Sequence, residues 1–414
     1  MSTLHSEAAR RFNVIGQSGG PTAAINATLS GVVRGCKDAD CIGKIYGAIN
    51  GIEGVLAERF CDLGEKLPDE ASLRLLEQTP AAALGSCRKK LPKPEDDPAT
   101  FEKLVEIFKK YDIRYFFYIG GNDSMDTVAK LSRYCASVGF DMRVMGVPKT
   151  IDNDLAGTDH TPGFGSAAKY IAAVTQEILL DTAVYTVKAV TIIEIMGRDA
   201  GWLTAAAALP SLSGIAPDLV YLPEVPFDYE KFYEDIAAAF EKHPNVVVAV
   251  SEGARTADGT YVGEGTQSGA VDVFGHKYLS GTGKALELAV KEKFGCKVRS
   301  VELNLPQRCA AHIRSKTDID ESVMVGKAAA NYAVNGETGK MACFVRTSSD
   351  PYKCEAGLCD IASVANAVRS VPREFITERG NGVTEECVRY IAPLIMGEAE
   401  CTYKNGLPDF ITLK

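Results

Sequence analysis

Short runs of β-branched and aromatic residues alternate along this chain with Gly-rich or polar turns, and then with segments of helical period. Residues 12–15 read as a buried strand, followed by the turn Gly16-Gln-Ser-Gly-Gly-Pro21 and a helix from about Thr22 to Val33. Phe101, Leu104, Val105 and Phe108 recur at i, i+3, i+4 and i+7, the spacing of one helix face. A strand rich in Tyr, Phe and Ile follows over 113–119, then the turn Gly120-Gly-Asn-Asp-Ser124 and a helix through Val128 and Leu131. A strand over 142–147 ends at Pro148. Another, over 187–195, leads into Met196-Gly-Arg-Asp199 and an Ala-rich helix, and a third, over 245–250, leads into Ser251-Glu-Gly253. Leu286, Val290 and Phe294 repeat at helical spacing, and 318–335 reads as a longer helix.

Strands alternating with helices predict a parallel sheet covered on both faces. The alternation continues past the length of one such sheet. The expected fold class is therefore α/β, with two doubly wound, Rossmann-like domains and a cleft between them. Residues 86–98, with three prolines and both signs of charge, read as a loop over the first domain, and 352–360 as a second irregular connection. No tandem repeat is visible.

Composition narrows the classes of partner. The chain has 414 residues, 46% hydrophobic and 24% charged, as ordinary globular proteins do. Its 45 basic residues against 54 acidic ones leave a net charge of −9, which gives no surplus to neutralise a nucleic-acid backbone. Any anion has to be met locally, by a few placed cations and backbone N–H groups. Twelve cysteines include no C-x-x-C pair, and the five histidines (His5, His160, His243, His276, His312) are scattered, so neither a zinc cluster nor a disulfide scaffold is expected. The cysteines read as small hydrophobes in a reducing cytoplasm. Arg10-Arg11 lacks the apolar core of an export signal, and no run of about 18 apolar residues predicts a membrane span.

In open α/β sheets, ligands bind beyond the carboxyl ends of the strands. Five predicted strand ends carry polar chemistry: Ser18-Gly19-Gly20, Gly120–Ser124, Lys149-Thr-Ile-Asp-Asn-Asp154, Met196-Gly-Arg198 and Ser251-Glu252-Gly253. The glycine pairs sit between a strand and a helix start, where backbone N–H groups and the helix dipole favour an anion. Each alone reads first as a structural βα turn and only second as a phosphate cradle. None is a G-x-G-x-x-G, so a dinucleotide fingerprint is absent, and Ser280-Gly-Thr-Gly-Lys284 fails the P-loop pattern at Tyr278 and Ala285. Asn122, Asp123 and Ser124 offer hard oxygens suited to magnesium, or else a helix cap. In the segment 149–154, Asp152 and Asp154 form a carboxylate pair able to share one cleft, one as base and one as metal-side or orienting group. Lys149 supplies a compact cation for a transferring phosphoryl group and Thr150 a hydroxyl. An Asx-turn network is the alternative. Arg198, Arg299 and Arg308 suit phosphate oxygens, and Glu252 suits sugar hydroxyls or a helix start.

Taken together, Gly-Gly-Pro-Thr-Ala-Ala-Ile-Asn26, Gly-Gly-Asn-Asp-Ser124, Thr-Ile-Asp-Asn-Asp154, Met-Gly-Arg198, Glu252 and Arg299…Gln-Arg308 resemble the phosphofructokinase family, in family order, over roughly residues 10–310. The resemblance implies phosphoryl transfer to the 1-hydroxyl of fructose 6-phosphate, giving fructose 1,6-bisphosphate, with magnesium as cofactor. It implies donor contacts at Gly19, Gly20, Arg88, Gly121 and Ser124. Acceptor contacts are implied at Thr150, Ile151, Asp152, Met196, Gly197, Arg198, Glu252, Arg299, Arg308 and Lys188. Asp152 is the implied base, assisted by Lys149, Asp123, Asp154 and Arg198, and Asn122 and Asp123 are the metal candidates. Residues 1–160, completed by about 310–360, would form the donor domain, and 161–309, completed by 361–414, the acceptor domain. A cytoplasmic homo-oligomer is implied, a dimer for preference.

Two positions bear on the donor. Members using ATP typically carry glycine where this chain has Asp123, and glycine where it has Lys149; the pair resembles the pyrophosphate-dependent members. Two like charges about 4 Å apart at an effective dielectric of about 20 repel by ~4 kcal/mol, so a carboxylate at 123 opposes a nucleotide α-phosphate. The chain departs from the family pattern at Asn122, usually acidic, at Leu305, often histidine, and at Ala189, where an arginine is expected and Lys188 stands in. In the family that residue reaches the acceptor phosphate of the neighbouring subunit. Three alternatives remain open: an ATP-dependent phosphofructokinase, a non-catalytic sugar-phosphate-binding regulatory subunit, and a dehydrogenase, the last disfavoured by the missing fingerprint.

Overall fold

The computed structural model describes residues 11–264, 281–365 and 367–414. His5, Arg10, His276, Tyr278 and Ser280 lie outside them. The first sheet holds β1 (Arg11–Gln17), β2 (Ile42–Ala48), β3 (Phe60–Asp62), β4 (Ile113–Gly120) and β5 (Arg143–Pro148). The second holds β6 (Ala189–Ile195), β7 (Leu219–Tyr221), β8 (Asn245–Ser251) and β9 (Lys297–Glu302). The chain then returns to the first sheet with β10 (Lys340–Ser349) and β11 (Tyr352–Asp360). The orders are β11-β10-β5-β4-β1-β2-β3 and β7-β8-β6-β9. The second sheet is wholly parallel, and in the first only β3 and β11 run antiparallel to their neighbours.

Strand periodicity splits the apolar residues between two faces. Val14, Phe116, Tyr118 and Val144 face one core of the first sheet, while Ile15, Phe117, Ile119, Met145 and Val147 face the other. In the second sheet Ile193, Ile195, Val247 and Ala249 oppose Val190, Ile192, Val246, Val248 and Val250. The central strands β1, β4, β5, β6 and β8 are thus buried on two sides, which is why they read as near-continuous apolar runs. Helix Pro98–Lys110 starts on an Asp97 cap with proline at its first position and buries the expected Phe101, Leu104, Val105 and Phe108. Helices Ile25–Lys37 and Lys316–Val334 cross so closely that a Cβ on Gly31 would lie 2.2 Å from the Val323 carbonyl oxygen, and one on Gly326 2.3 Å from that of Thr28.

Two readings are corrected. Residues 352–360 are the edge strand β11, paired from Tyr352–Ser349 to Asp360–Lys340 with one register shift between Arg346 and Ser348. Its sequence, Tyr-Lys-Cys-Glu-Ala-Gly-Leu-Cys-Asp, is rich in small and polar residues because one edge lacks a partner, so the apolar alternation is weak. The Ala-rich segment after Asp199 is one α-turn, Trp202–Ala205, running into a 3₁₀ stretch, Ala206–Ser213, that contains Pro210. Proline cannot donate to a helical ladder, which accounts for the break. The C-terminal segment serves both sheets: Val371, Ile376, Cys387, Ile391 and Leu394 pack under the second, whereas Ile361, Val364 and Leu413 lie in the cores of the first.

Candidate active site

Three turns meet at the carboxyl edge of the first sheet. Ser18 N–H donates to the Ile119 carbonyl at 2.9 Å and Lys149 N–H to the Gly120 carbonyl at 3.0 Å, which ties the ends of β1, β4 and β5 side by side. The loop carrying Arg88 docks on the same edge, through Gly19 N–H to the Cys87 carbonyl (3.2 Å) and the Ser86 hydroxyl to the Gly19 carbonyl (2.5 Å). Gly19 has φ +77°, and a Cβ there would sit 3.3 Å from Lys149 Nζ. A side chain would meet both backbone strain and the lysine. Lys149 is 2% exposed and donates to the Gly20 carbonyl at 2.6 Å. Helix Asn122–Ser137 begins at Gly121 with no side-chain cap, so neither Asp123 nor Ser124 closes its N-terminus, which stays available to an anion.

The second sheet presents its carboxyl edge to the first. Glu252 N–H donates to the Ile195 carbonyl at 2.8 Å, and Gly197 N–H donates to Glu252 Oε1 at 3.3 Å. Ser251 Oγ donates to the Gly197 carbonyl at 2.5 Å, and Met196 N–H to Gln307 Oε1 at 3.3 Å, which ties together the ends of β6 and β8 and the short helix Pro306–Cys309. Between the two edges lies a cavity of about 430 Å³. Lining it are the expected Gly19, Gly20, Arg88, Gly121, Asn122, Asp123, Ser124, Lys149, Thr150, Ile151, Asp152, Asp154, Met196, Arg198, Glu252 and Arg308. Gly197 borders it through its bond to Glu252.

Burial sets the charge states. Lys149 is brought down to about 8 by burial, against the pull of Asp152 and Asp154. Burial raises Asp152, opposed by Lys149 and Arg198, and raises Asp154 to about 7 with help from the Asp152 charge. Glu252 rises to about 7, again chiefly by burial. Arg308 is lowered by burial and by nearby Arg88. Two buried acids and a lysine poised near neutrality are what proton transfer to or from an anionic substrate requires.

The chain matches the phosphofructokinase family model over residues 13–313. It is 44% identical to the pyrophosphate–fructose 6-phosphate 1-phosphotransferase of Halomonas elongata over 401 residues, 96% of this chain and 94% of that one. Against the protein of the same name from Methylococcus capsulatus it is 42% identical over 401 residues, again 96% and 94%. The crystal structure of a pyrophosphate-dependent phosphofructokinase from Nitrosospira multiformis superposes with a TM-score of 0.88 at 40% identity, covering 98% of this chain and 97% of that one.

The chain belongs to the phosphofructokinase family.

Two expected contacts stand apart from the cavity in this phosphofructokinase. Lys188 is exposed at the amino end of β6, over the Phe240 ring, and Arg299 is exposed on edge strand β9, lining a separate cavity with Tyr185, Val187 and Lys297. Within one chain they are on the wrong part of the sheet, because β6 runs away from Lys188 toward Met196. Asp123 is 39% exposed at its side chain and pairs with Lys90 at 2.8 Å. That exposure puts its repulsion of a third phosphate below the 4 kcal/mol scale, which applies to less screened charges. Sequence reasoning missed Lys89, Asp199 and Val368 on the cavity wall, and Lys90 as the partner of Asp123; the Arg88-Lys89-Lys90 run was the available signal for the two lysines, while nothing marks Val368.

A divalent metal is general in the family. The donor set fits one: Asn122 Oδ1 is buried with no hydrogen-bond partner, and Asn122 Nδ2 lies 3.3 Å from Asp154 Oδ2. Hard oxygens beside a carboxylate pair suit magnesium.

Proposed function

We infer that the chain catalyses reversible phosphoryl transfer from pyrophosphate to the 1-hydroxyl of fructose 6-phosphate, giving fructose 1,6-bisphosphate and phosphate. The observation that carries the donor is Lys149: a buried ammonium on the Gly19–Gly20 turn, next to Asp152, where a glycine would leave room for more of a nucleotide. The names of the relatives agree. Pyrophosphate lies over Gly19, Gly20, Gly121 and Ser124, with Arg88 and Lys149 on its oxygens. The acceptor lies toward the second sheet, its phosphate on Arg308, its ring near Thr150, Ile151 and Met196–Arg198, and its hydroxyls on Glu252. Asp152 accepts the proton of the 1-hydroxyl as the oxygen attacks in line, and Arg198 meets the charge that develops. Positioning and charge neutralisation account for most of the acceleration.

Magnesium is the proposed metal. Asn122 and Asp154 would hold it, with Asp123 joining if it leaves Lys90; bound there it would neutralise donor oxygens. Donor and product are both phosphate derivatives of comparable transfer potential, so the reaction runs both ways. Phosphorus NMR tests this: with fructose 1,6-bisphosphate and inorganic phosphate supplied, the pyrophosphate resonance is expected to appear, and its absence with active enzyme would refute reversibility.

The chain is proposed to act as a homo-oligomer, a dimer for preference, in which Lys188 and Arg299 reach the acceptor phosphate of the neighbouring subunit. Leu180, Val184, Tyr185 and Val187 are 49–71% exposed beside them, an apolar surface suited to a partner copy. The donor side is assigned to residues 1–160 with about 310–360, and the acceptor side to 161–309 with most of 361–414. Twelve unpaired cysteines support the cytoplasm as compartment. No helix of the described residues is long and apolar enough to cross a membrane.

A further inference from the structure

The catalytic turn is held from behind by a segment that no motif marks. Asn153 stands between the two acids at φ +54° and is fully buried. A non-glycine residue in that region is strained unless its surroundings fix it. Residues 367–371 supply the fixing. Leu155 and Val368 form an antiparallel bridge, and Arg369 N–H donates to the Asp154 carbonyl at 2.8 Å. The same arginine donates from Nη1 to the Asn153 carbonyl (3.3 Å) and from Nη2 to the Tyr390 hydroxyl (3.0 Å).

The guanidinium is itself wedged. It lies 4.4 Å from the Trp202 ring centre and 5.6 Å from that of Tyr390, and Trp202 Nε1 donates to the Arg369 carbonyl at 3.0 Å. Tyr390 is fixed in turn: its hydroxyl donates to the Asp159 carbonyl at 2.6 Å, and the Arg346 guanidinium lies 4.3 Å from its ring centre. Arg346 pairs with Asp159, whose carboxylate also meets His160, and His160 reaches Glu321 at 2.8 Å. His160, Glu321 and Cys354 have metal-ligand character, but both ring nitrogens of His160 are already committed to carboxylates, so this group reads as scaffold.

We propose that Arg369 is a positioning residue for phosphoryl transfer, clamping the Asn153–Asp154 backbone so that Asp152 and Asp154 face the cavity together. The proposal rests on Asp152 as base. Planar stacking on Trp202 combined with two divergent hydrogen bonds, one to the Asn153 carbonyl and one to the Tyr390 hydroxyl, suits a guanidinium and not an ammonium. The clamp comes from the stretch beyond the family motifs, which makes the C-terminal segment part of the active site's support.

The test measures kcat, KM and thermal unfolding for Arg369→Met, Arg369→Lys and Arg346→Met, with Asp152→Asn alongside. Arg369→Met is expected to lose about 10²-fold in kcat while both substrate KM values stay within about threefold, because displacement of the acids harms chemistry more than binding. Arg369→Lys is expected to lose kcat too, and guanidinium salt added to Arg369→Met to restore part of it. Arg346→Met loosens the same stack without touching 153–154 and is expected to keep most of kcat at a similar loss of Tm. If Arg369→Met fails to fold, Arg369→Lys decides by the same criterion. Parent-like kcat in a folded Arg369 variant, or an equal kcat loss in Arg346→Met, overturns the proposal. Retained kcat in Asp152→Asn would instead overturn the assignment of the base, whatever the Arg369 variants do.

Discussion

The carboxyl of Asp154 shows how a single residue trades stability for chemistry. Its folded value of about 7 lies above the ordinary carboxylate value because burial and the Asp152 charge penalise ionisation. The folded chain therefore binds more protons than the unfolded one between the two values. The group's stabilising contribution is full below the unfolded value and is lost as pH rises through about 7. Asp154→Asn is accordingly expected to raise Tm at pH 8 and to give no gain at pH 4, as thermal unfolding at the two pH values will read; a gain at pH 4 equal to that at pH 8 would contradict it. Lys149 follows the opposite rule for a cation, with stability rising as pH climbs from about 8 toward the free-lysine range. Asp123 and Lys90 form the exposed counterpart, and an exposed pair contributes little to stability.

At the scale of elements, the crossing of helices Ile25–Lys37 and Lys316–Val334 ties the return of the chain to the turn after β1. Gly326→Val places two methyls where a carbonyl oxygen already lies 2.3 Å from the Cβ position. Overpacking of this kind costs about 1–3 kcal/mol or more. A lowered Tm is expected, with pyrophosphate KM raised through displacement of Ser18–Gly20; an unchanged Tm would show that the helices can separate freely. Which elements were legible follows from burial. β1, β4, β5, β6 and β8 are covered on both faces and announce themselves as apolar runs, and helix Pro98–Lys110 through its stripe. β10 and β11 were not read, because β11 is an edge strand and the outer half of β10 alternates between exposed and half-buried positions. In the site, residues packed into one turn, such as Lys149–Asp154, stand out as candidates by spacing, and the family resemblance decides between a site and an Asx-turn network. Arg369 could not be read, since it reaches the site from 215 residues along the chain beyond Asp154.

At the scale of the molecule, one cavity gathers Arg88, Lys89, Lys149, Arg198 and Arg308 within a chain of net charge −9. Local placement, not overall charge, meets the anions. Lys188 and Arg299 remain outside it, and the proposed sharing of sites between subunits would account for them. Arg299→Ala and Asp152→Asn, each nearly inactive alone, are expected to regain activity when unfolded together and refolded as a mixture, since hybrids contain one intact site; no recovery would refute the sharing. The account as a whole stands on the donor. Initial rates with fructose 6-phosphate and magnesium, taken with pyrophosphate and with ATP in parallel, test it most directly. Pyrophosphate is expected to give kcat/KM at least about tenfold above that for ATP, short of the roughly thousandfold an unscreened opposed charge would set, because Asp123 is exposed and paired with Lys90. Equal or faster turnover with ATP would contradict it.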